Sequence, residues 1–185
     1  MEQNNQIKQI RSELGLVHLY CGDGKGKTTA AAGLTLRAKG RGLNVLFVQF
    51  LKYGTSAELD SLRKLGIEVV SGQPSGKFVF QMGDGEKAET RAFNQQRLLD
   101  VIERSRDGID LLVLDEILGA IATDMVDERD VLAFLNTKPE HLEVVLTGRD
   151  PSDALIDAAD YVSEMVMRKH PYETSRVHAR QGIEY

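Results

Sequence analysis

The chain has 185 residues, of which 42% are hydrophobic and 28% charged, with a net charge of −5 and a pI near 5.4. That suits one soluble globular domain with a full core, and the acidic balance argues against a general nucleic-acid binder. A lone cysteine excludes an internal disulfide and agrees with a reducing cytoplasm; residues 1–12 lack the apolar core of a signal peptide, and no apolar run approaches the ~20 residues of a membrane span.

Residues 1–14 carry Ile7, Ile10 and Leu14 at helical spacing among polar neighbours, an N-terminal arm read either as a short amphipathic helix or as a loose segment. The α/β domain spans 15–185. Residues 16–21 read as a strand, 22–29 as a glycine-rich loop, and 30 to about 39 as a helix stopped by Gly40-Arg41-Gly42. The apolar run 44–50 is a strand buried on both faces. Thr55 or Ser56 caps a helix through Leu65, Gly66 stops it, and 67–70 is a third strand. Residues 71–85 hold five glycines or prolines around Phe78, Val79, Phe80 and Met82, the pattern of a functional or mobile loop. A long helix spans 86–106, and 111–114 is a buried strand ending in Asp115 and Glu116. Helices follow over 117–122, from an Asp127 or Asp130 cap through Leu135, and over 151–159, with strands over 143–149 and 161–167.

Strands alternating with helices predict a single-domain, P-loop NTPase-like (RecA-like) α/β fold: a mostly parallel sheet with helices on both faces. Ligands of such sheets sit beyond the strands' carboxyl ends. Three polar clusters fall there: the 22–29 loop, Asp115-Glu116, and Thr147-Gly148-Arg149.

The loop Gly22-Asp23-Gly24-Lys25-Gly26-Lys27-Thr28-Thr29 between strand and helix is a phosphate-binding loop. Its glycines free backbone N–H groups to face an anion, and the helix adds its positive end. Lys27 supplies a mobile charge and Thr28 a hydroxyl for magnesium. The usual first glycine is displaced: Cys21 stands at that position and Gly22 follows it. Asp115 or Glu116 holds magnesium, or Glu116 polarises a water. Arg149 either reaches a phosphate or pairs with a surface acid. Phe78 and Phe80, two apart, face one side if that segment is extended, as an apolar wall for a flat ligand or as loop-anchoring core. His18 reads as a packed strand residue, and no histidine pair at metal spacing suggests zinc.

Gly22 to Ala31 resembles the phosphate loop of the corrinoid adenosyltransferases, which shares the displaced glycine. Val48-Gln49-Phe50-Leu51-Lys52, Val113-Leu114-Asp115-Glu116, Leu146-Thr147-Gly148-Arg149 and the terminal Ala179-Arg180-Gln181-Gly182-Ile183-Glu184-Tyr185 resemble its later blocks, in the same order along nearly the whole chain. The resemblance implies a transferase: Co(I) of a reduced corrinoid (cobalamin, cobinamide or cobyrinic acid diamide) takes the 5′-deoxyadenosyl group of ATP, and triphosphate leaves, in adenosylcobalamin synthesis or salvage. It implies that residues 22–29 bind ATP with Arg149, in reverse of the usual direction. Lys27, Thr28 and Glu116 are then catalytic, and Thr28 and Glu116, supported by Asp115, hold Mg2+ or Mn2+. Phe78 and Phe80 contact the corrinoid and displace the lower cobalt ligand, although the family carries a phenylalanine and a tryptophan there, and this chain has no tryptophan and differs around Gly76-Lys77. The arm becomes a lid over the corrinoid. A reductase or flavoprotein electron donor, a cytoplasmic location and a homodimer complete the expectation, with neither nucleic acid nor membrane as partner. A hydrolytic ATPase or kinase and a non-catalytic nucleotide switch are the competing readings of the same loop.

Overall fold

Apolar residues occupy successive positions along the central strands, on both faces, so both faces of the sheet must be covered. The computed structural model describes residues 2–184 and satisfies that demand with six parallel strands in the order β3-β2-β4-β5-β1-β6. They are β1 (Val17–Cys21), β2 (Val45–Gln49), β3 (Glu68–Val70), β4 (Leu111–Asp115), β5 (Glu143–Thr147) and β6 (Tyr161–Glu164). The sheet, expected to be mostly parallel, is wholly parallel.

Side chains alternate across the pleat. Val45, Phe47, Leu111, Val113 and Val145 pack against α2 (Lys27–Gly40) and α3 (Ala57–Lys64). Leu46, Val48, Leu112, Leu114, Val144 and Leu146 pack on the other face with Leu98 and Val101 of α4 (Asp84–Arg104), Ile117 and Leu118 of α5 (Ile117–Ala122), Phe134 of α6 (Glu128–Thr137) and Leu155 of α7 (Asp153–Asp157). Each fully buried Leu or Phe contributes on the order of 1.5–3 kcal/mol. The edge strands β3 and β6 are short, and β6 is exposed throughout, which limits the open edge they present. Among the described residues no helix is long and apolar enough to cross a membrane.

The arm forms α1 (Glu2–Arg11), the amphipathic helix rather than a loose segment. Ile10 and Leu14 pack on the α2–α3 side, and Arg11 grips Asp110 with two hydrogen bonds of 2.7 and 2.9 Å. Asp110 precedes β4, so the arm docks at the amino ends of the strands. The expected lid is therefore not where this structure places the arm, which lies at the far end of the sheet from the phosphate loop. Of the expected caps, the Asp127 carboxylate accepts the Arg129 N–H at 3.0 Å, whereas Ser56 stands at the N-cap of α3 without a side-chain cap hydrogen bond; Ser152, not anticipated, caps α7 by accepting from Leu155 at 3.2 Å. One helix was not anticipated, α8 (Pro171–Ser175), begun by a proline at its first turn. Met1 of the arm and Tyr185 of the terminal motif lie outside the described residues.

Candidate active site

The phosphate loop leaves β1 at Cys21 and ends at Gly26, whose φ of 122° only glycine adopts freely, and α2 starts at Lys27. A side chain at Gly22 or Gly24 would strike the Met165 carbonyl oxygen at 2.5 or 2.6 Å, so these glycines also serve close packing against the chain beyond β6. Gly24 N–H donates to that carbonyl at 2.6 Å, and Asp23 Oδ1 accepts the Met167 N–H at 2.9 Å. One loop amide thus faces the β6 extension rather than the phosphate hollow. Lys25 lies outside, its ammonium 2.9 Å from Glu184. Thr29 is exposed on the first turn of α2.

Lys27 is 9% exposed, and its ammonium donates to the carbonyls of Gly22 (2.7 Å) and Gly24 (2.8 Å). Burial holds its pKa below the usual lysine value; Glu116 opposes that shift, and the nearby Arg149 charge reinforces it. Arg149 itself is exposed and makes no ion pair among the described residues, so the surface-acid alternative is not realised.

Asp115 is completely buried, and donors surround its carboxylate. Oδ1 accepts the Thr28 and Thr147 hydroxyls, each at 2.8 Å; Oδ2 accepts Gln49 Nε2 at 3.0 Å and Lys52 Nζ at 3.4 Å. Glu116 sits at φ 61°, a left-handed conformation costing roughly 1–2 kcal/mol for a side-chain-bearing residue. Thr147 holds it there by accepting the Glu116 N–H at 2.9 Å. The twist turns the Glu116 carboxylate outward, 31% exposed and 3.9 Å from Lys52. Leu51 and Asp150, just past β2 and β5, are left-handed too, so backbone strain collects at the same strand ends. Gly148 (φ 145°) is obligatory: a Cβ there would meet Leu118 Cβ at 2.6 Å.

The described residues contain no group of three or more His, Cys, Asp and Glu side chains able to hold a metal by themselves. The donor set instead suits a hard cation shared with a substrate. Thr28 and Glu116 supply oxygens, Lys52 presently offers the balancing charge, and phosphate and water complete such shells. Cys21 is buried, and burial pushes its thiol pKa up, against a nucleophilic role. His18 is packed as expected, stacked on Tyr161 with centroids 4.8 Å apart and 2.6 Å from Glu143.

Phe78 and Phe80 do share a side, but not because the segment is extended: Val79–Gln81 is a 3₁₀ turn with Phe78 at its start. The rings stack on each other with centroids 5.6 Å apart and planes 6° apart, and they are 61% and 80% exposed. They are therefore not loop-anchoring core. An exposed stacked pair leaves apolar area unburied on the surface. Val79, Ala88 and Met125 line an apolar groove beside Phe80, with Lys87 and Arg91 among its other walls.

Sequence reasoning gave no role to Gln49, Lys52 or Arg97. The available signal was a glutamine inside an otherwise apolar strand run, since a buried amide needs partners.

Comparison with known proteins agrees with the resemblance. The family model for the ATP:corrinoid adenosyltransferase BtuR/CobO/CobP matches residues 13–185. The chain is 35% identical to the corrinoid adenosyltransferase CobA of Salmonella typhimurium over 97% of this chain and 90% of that protein. It is 31% identical to the corrinoid adenosyltransferase of Pseudomonas aeruginosa (98% and 89%) and 32% identical to that of Escherichia coli K12 (97% and 90%).

Proposed function

This chain belongs to the ATP:corrinoid adenosyltransferase family, transferases that adenosylate corrinoids with ATP as co-substrate, and we propose how its residues divide that work. The 22–29 loop grips the triphosphate with backbone amides and the α2 amino end, and Arg149 adds a second positive group. Lys27 exchanges the Gly22 and Gly24 carbonyls for phosphate oxygens, so its charge is already in place when the leaving group develops. The 5′ carbon faces the corrinoid. The cobalt electron pair forms the Co–C bond as the C5′–O bond breaks, and that bond's electrons leave on triphosphate. No side chain has to remove a proton, so the protein works by positioning and charge stabilisation. Thr28 and Glu116 hold Mg2+ or Mn2+, with Asp115 behind Thr28; the ion, when bound, neutralises triphosphate charge.

The observation that carries this reading is the meeting of Thr28, Asp115, Thr147 and the outward-turned Glu116 at one strand-end point beside Lys27. The exposed phenyl pair supports the corrinoid side. Family membership supports a cytoplasmic homodimer supplied with electrons by a reductase or flavoprotein; light scattering and a reductase-coupled assay check both.

Phe78 and Phe80 test the corrinoid assignment. With base-on cob(II)alamin and with cob(II)inamide, each reduced to Co(I) in the assay by a flavoprotein electron donor, wild type turns over both. Phe80→Ala, and to a similar extent Phe78→Ala, should lower turnover of base-on cobalamin by about tenfold or more, the loss expected when one aromatic contact of about 1.4 kcal/mol or more disappears, and spare cobinamide, which has no lower base to displace. Equal loss on both substrates would leave the rings a packing role, and wild type inactive on both would contradict the functional reading.

A further inference from the structure

One buried polar path leaves the phosphate site and ends at the root of the loop that carries the phenyl pair. Gln49 is fully buried at the end of β2, in register with Asp115 on β4. Its Nε2 donates to Asp115 Oδ2 at 3.0 Å, and its Oε1 accepts the Ser71 hydroxyl at 3.2 Å. Its backbone carbonyl accepts Arg97 Nη1 at 2.9 Å, while Arg97 Nη2 donates to the Gly72 carbonyl. Arg97 is 7% exposed and lies over the Phe93 ring at 4.7 Å. Ser71 and Gly72 directly follow β3 and begin the segment that reaches Phe78. Thr28 is therefore three side-chain hydrogen bonds from the loop root: Thr28 to Asp115, Asp115 to Gln49, Gln49 to Ser71.

We propose that Gln49 and Arg97 are positioning residues that couple the phosphate site to the Phe78–Phe80 loop, so that ATP and corrinoid each tighten the other's binding; this rests on the reading of that loop as the corrinoid contact. The chemistry is specific. A threonine hydroxyl has one proton and two lone pairs. While Asp115 takes the proton, the lone pairs are aimed outward at whatever the phosphate loop holds. Filling that site fixes Thr28, hence the Asp115 carboxylate, hence the amide rotamer of Gln49 and the Ser71 end of the loop. Arg97 makes the second tie, and its planar fork spans the Gln49 and Gly72 carbonyls at once, which a lysine cannot do. The loop root has capacity to re-pair: Gln73 Oε1 and Asn94 Oδ1 are buried without a donor among the described residues. Contiguous hydrogen-bonded groups with two arrangements carry coupling of this kind, and it is reciprocal.

The test is calorimetric titration of the full chain with cob(II)inamide under anaerobic conditions, with and without saturating ATP and Mg2+. Co(II) lacks the nucleophilic electron pair, so no turnover intervenes. Wild type should bind cobinamide about fivefold or more tighter with ATP present. In Gln49→Leu and in Arg97→Lys that factor should fall to about one, while each ligand alone keeps its wild-type affinity within about twofold, a pattern that loss of packing alone does not produce. Ser71→Ala, which leaves Asp115 paired, should also lower the factor and decides the matter if Gln49→Leu does not fold. A wild-type factor retained in the variants, or a factor of one in wild type, overturns the coupling while leaving the functional reading intact. Wild type that binds no cobinamide under either condition overturns both.

Discussion

Lys27→Ala lowers the rate of Co–C bond formation by about 10²–10³-fold, the usual cost of removing one preorganised charge from a developing anion. The fold persists, because the ammonium's present partners are two loop carbonyls, Gly22 O and Gly24 O, which water can satisfy once the side chain is gone. The loss should appear in kcat with reduced cobinamide and saturating ATP, with circular dichroism and the thermal midpoint close to wild type. The size of the effect follows from burial. Lys27 is nearly enclosed, its charge is already partly desolvated, and a phosphate oxygen taking the place of the carbonyls meets a strong, local field. Normal turnover in the variant would refute the loop's role in binding triphosphate.

The second expected result separates two adjacent carboxylates that sequence alone treats alike. Asp115→Ala leaves the buried donors of Thr147 and Gln49 without an acceptor, at a cost on the order of 3 kcal/mol. At this chain length that lowers the thermal midpoint by about 6–12 °C, and turnover falls with it as Thr28 loses its orientation. Glu116→Gln behaves differently. It keeps the side-chain size and the same left-handed backbone, and the group is one-third exposed, so the midpoint stays within about 2 °C, the range of a surface change. Its turnover should nevertheless fall by about 10²-fold, and the electron paramagnetic resonance signal of Mn2+ bound with ATP should be lost. Glu116→Gln with wild-type Mn2+ binding, alongside an Asp115→Asn that has lost it, would assign the metal to Asp115 instead.

Much of this arrangement was legible before any coordinates. The phosphate loop announces itself because strand, glycines, lysine and threonine are local neighbours, and the apolar runs at β2 and β4 are short and uninterrupted enough to leave little choice of element. The carboxylate pair closing β4 could be placed at a strand's carboxyl end for the same reason. What stayed hidden depends on contacts far apart in sequence. Nothing in the pattern says that β5 lies between β1 and β4, which is what carries Thr147 to Asp115. The packing of Gly22 and Gly24 against Met165 spans the whole domain, so those glycines looked purely phosphate-directed. The residues alone left Phe78 and Phe80 as either an exposed apolar wall or loop-anchoring core; their exposure accompanies a 3₁₀ turn that periodicity does not reveal in a glycine-rich stretch. Arg97, assigned no role from the sequence, is buried across two carbonyls, and that burial holds its pKa below the usual arginine value. The arm's position was invisible because its anchor, Asp110, sits just ahead of a distant strand.

The most direct measurement is the fate of the phosphates. An anaerobic reaction of the protein with ATP, Mg2+ and chemically reduced cobinamide, followed by absorbance and anion-exchange analysis, should yield one inorganic triphosphate for each light-sensitive Co–C bond and no turnover without corrinoid. Release of ADP and phosphate at the same rate with or without the corrinoid would contradict a site that turns the ribose, rather than the terminal phosphate, toward the reacting centre.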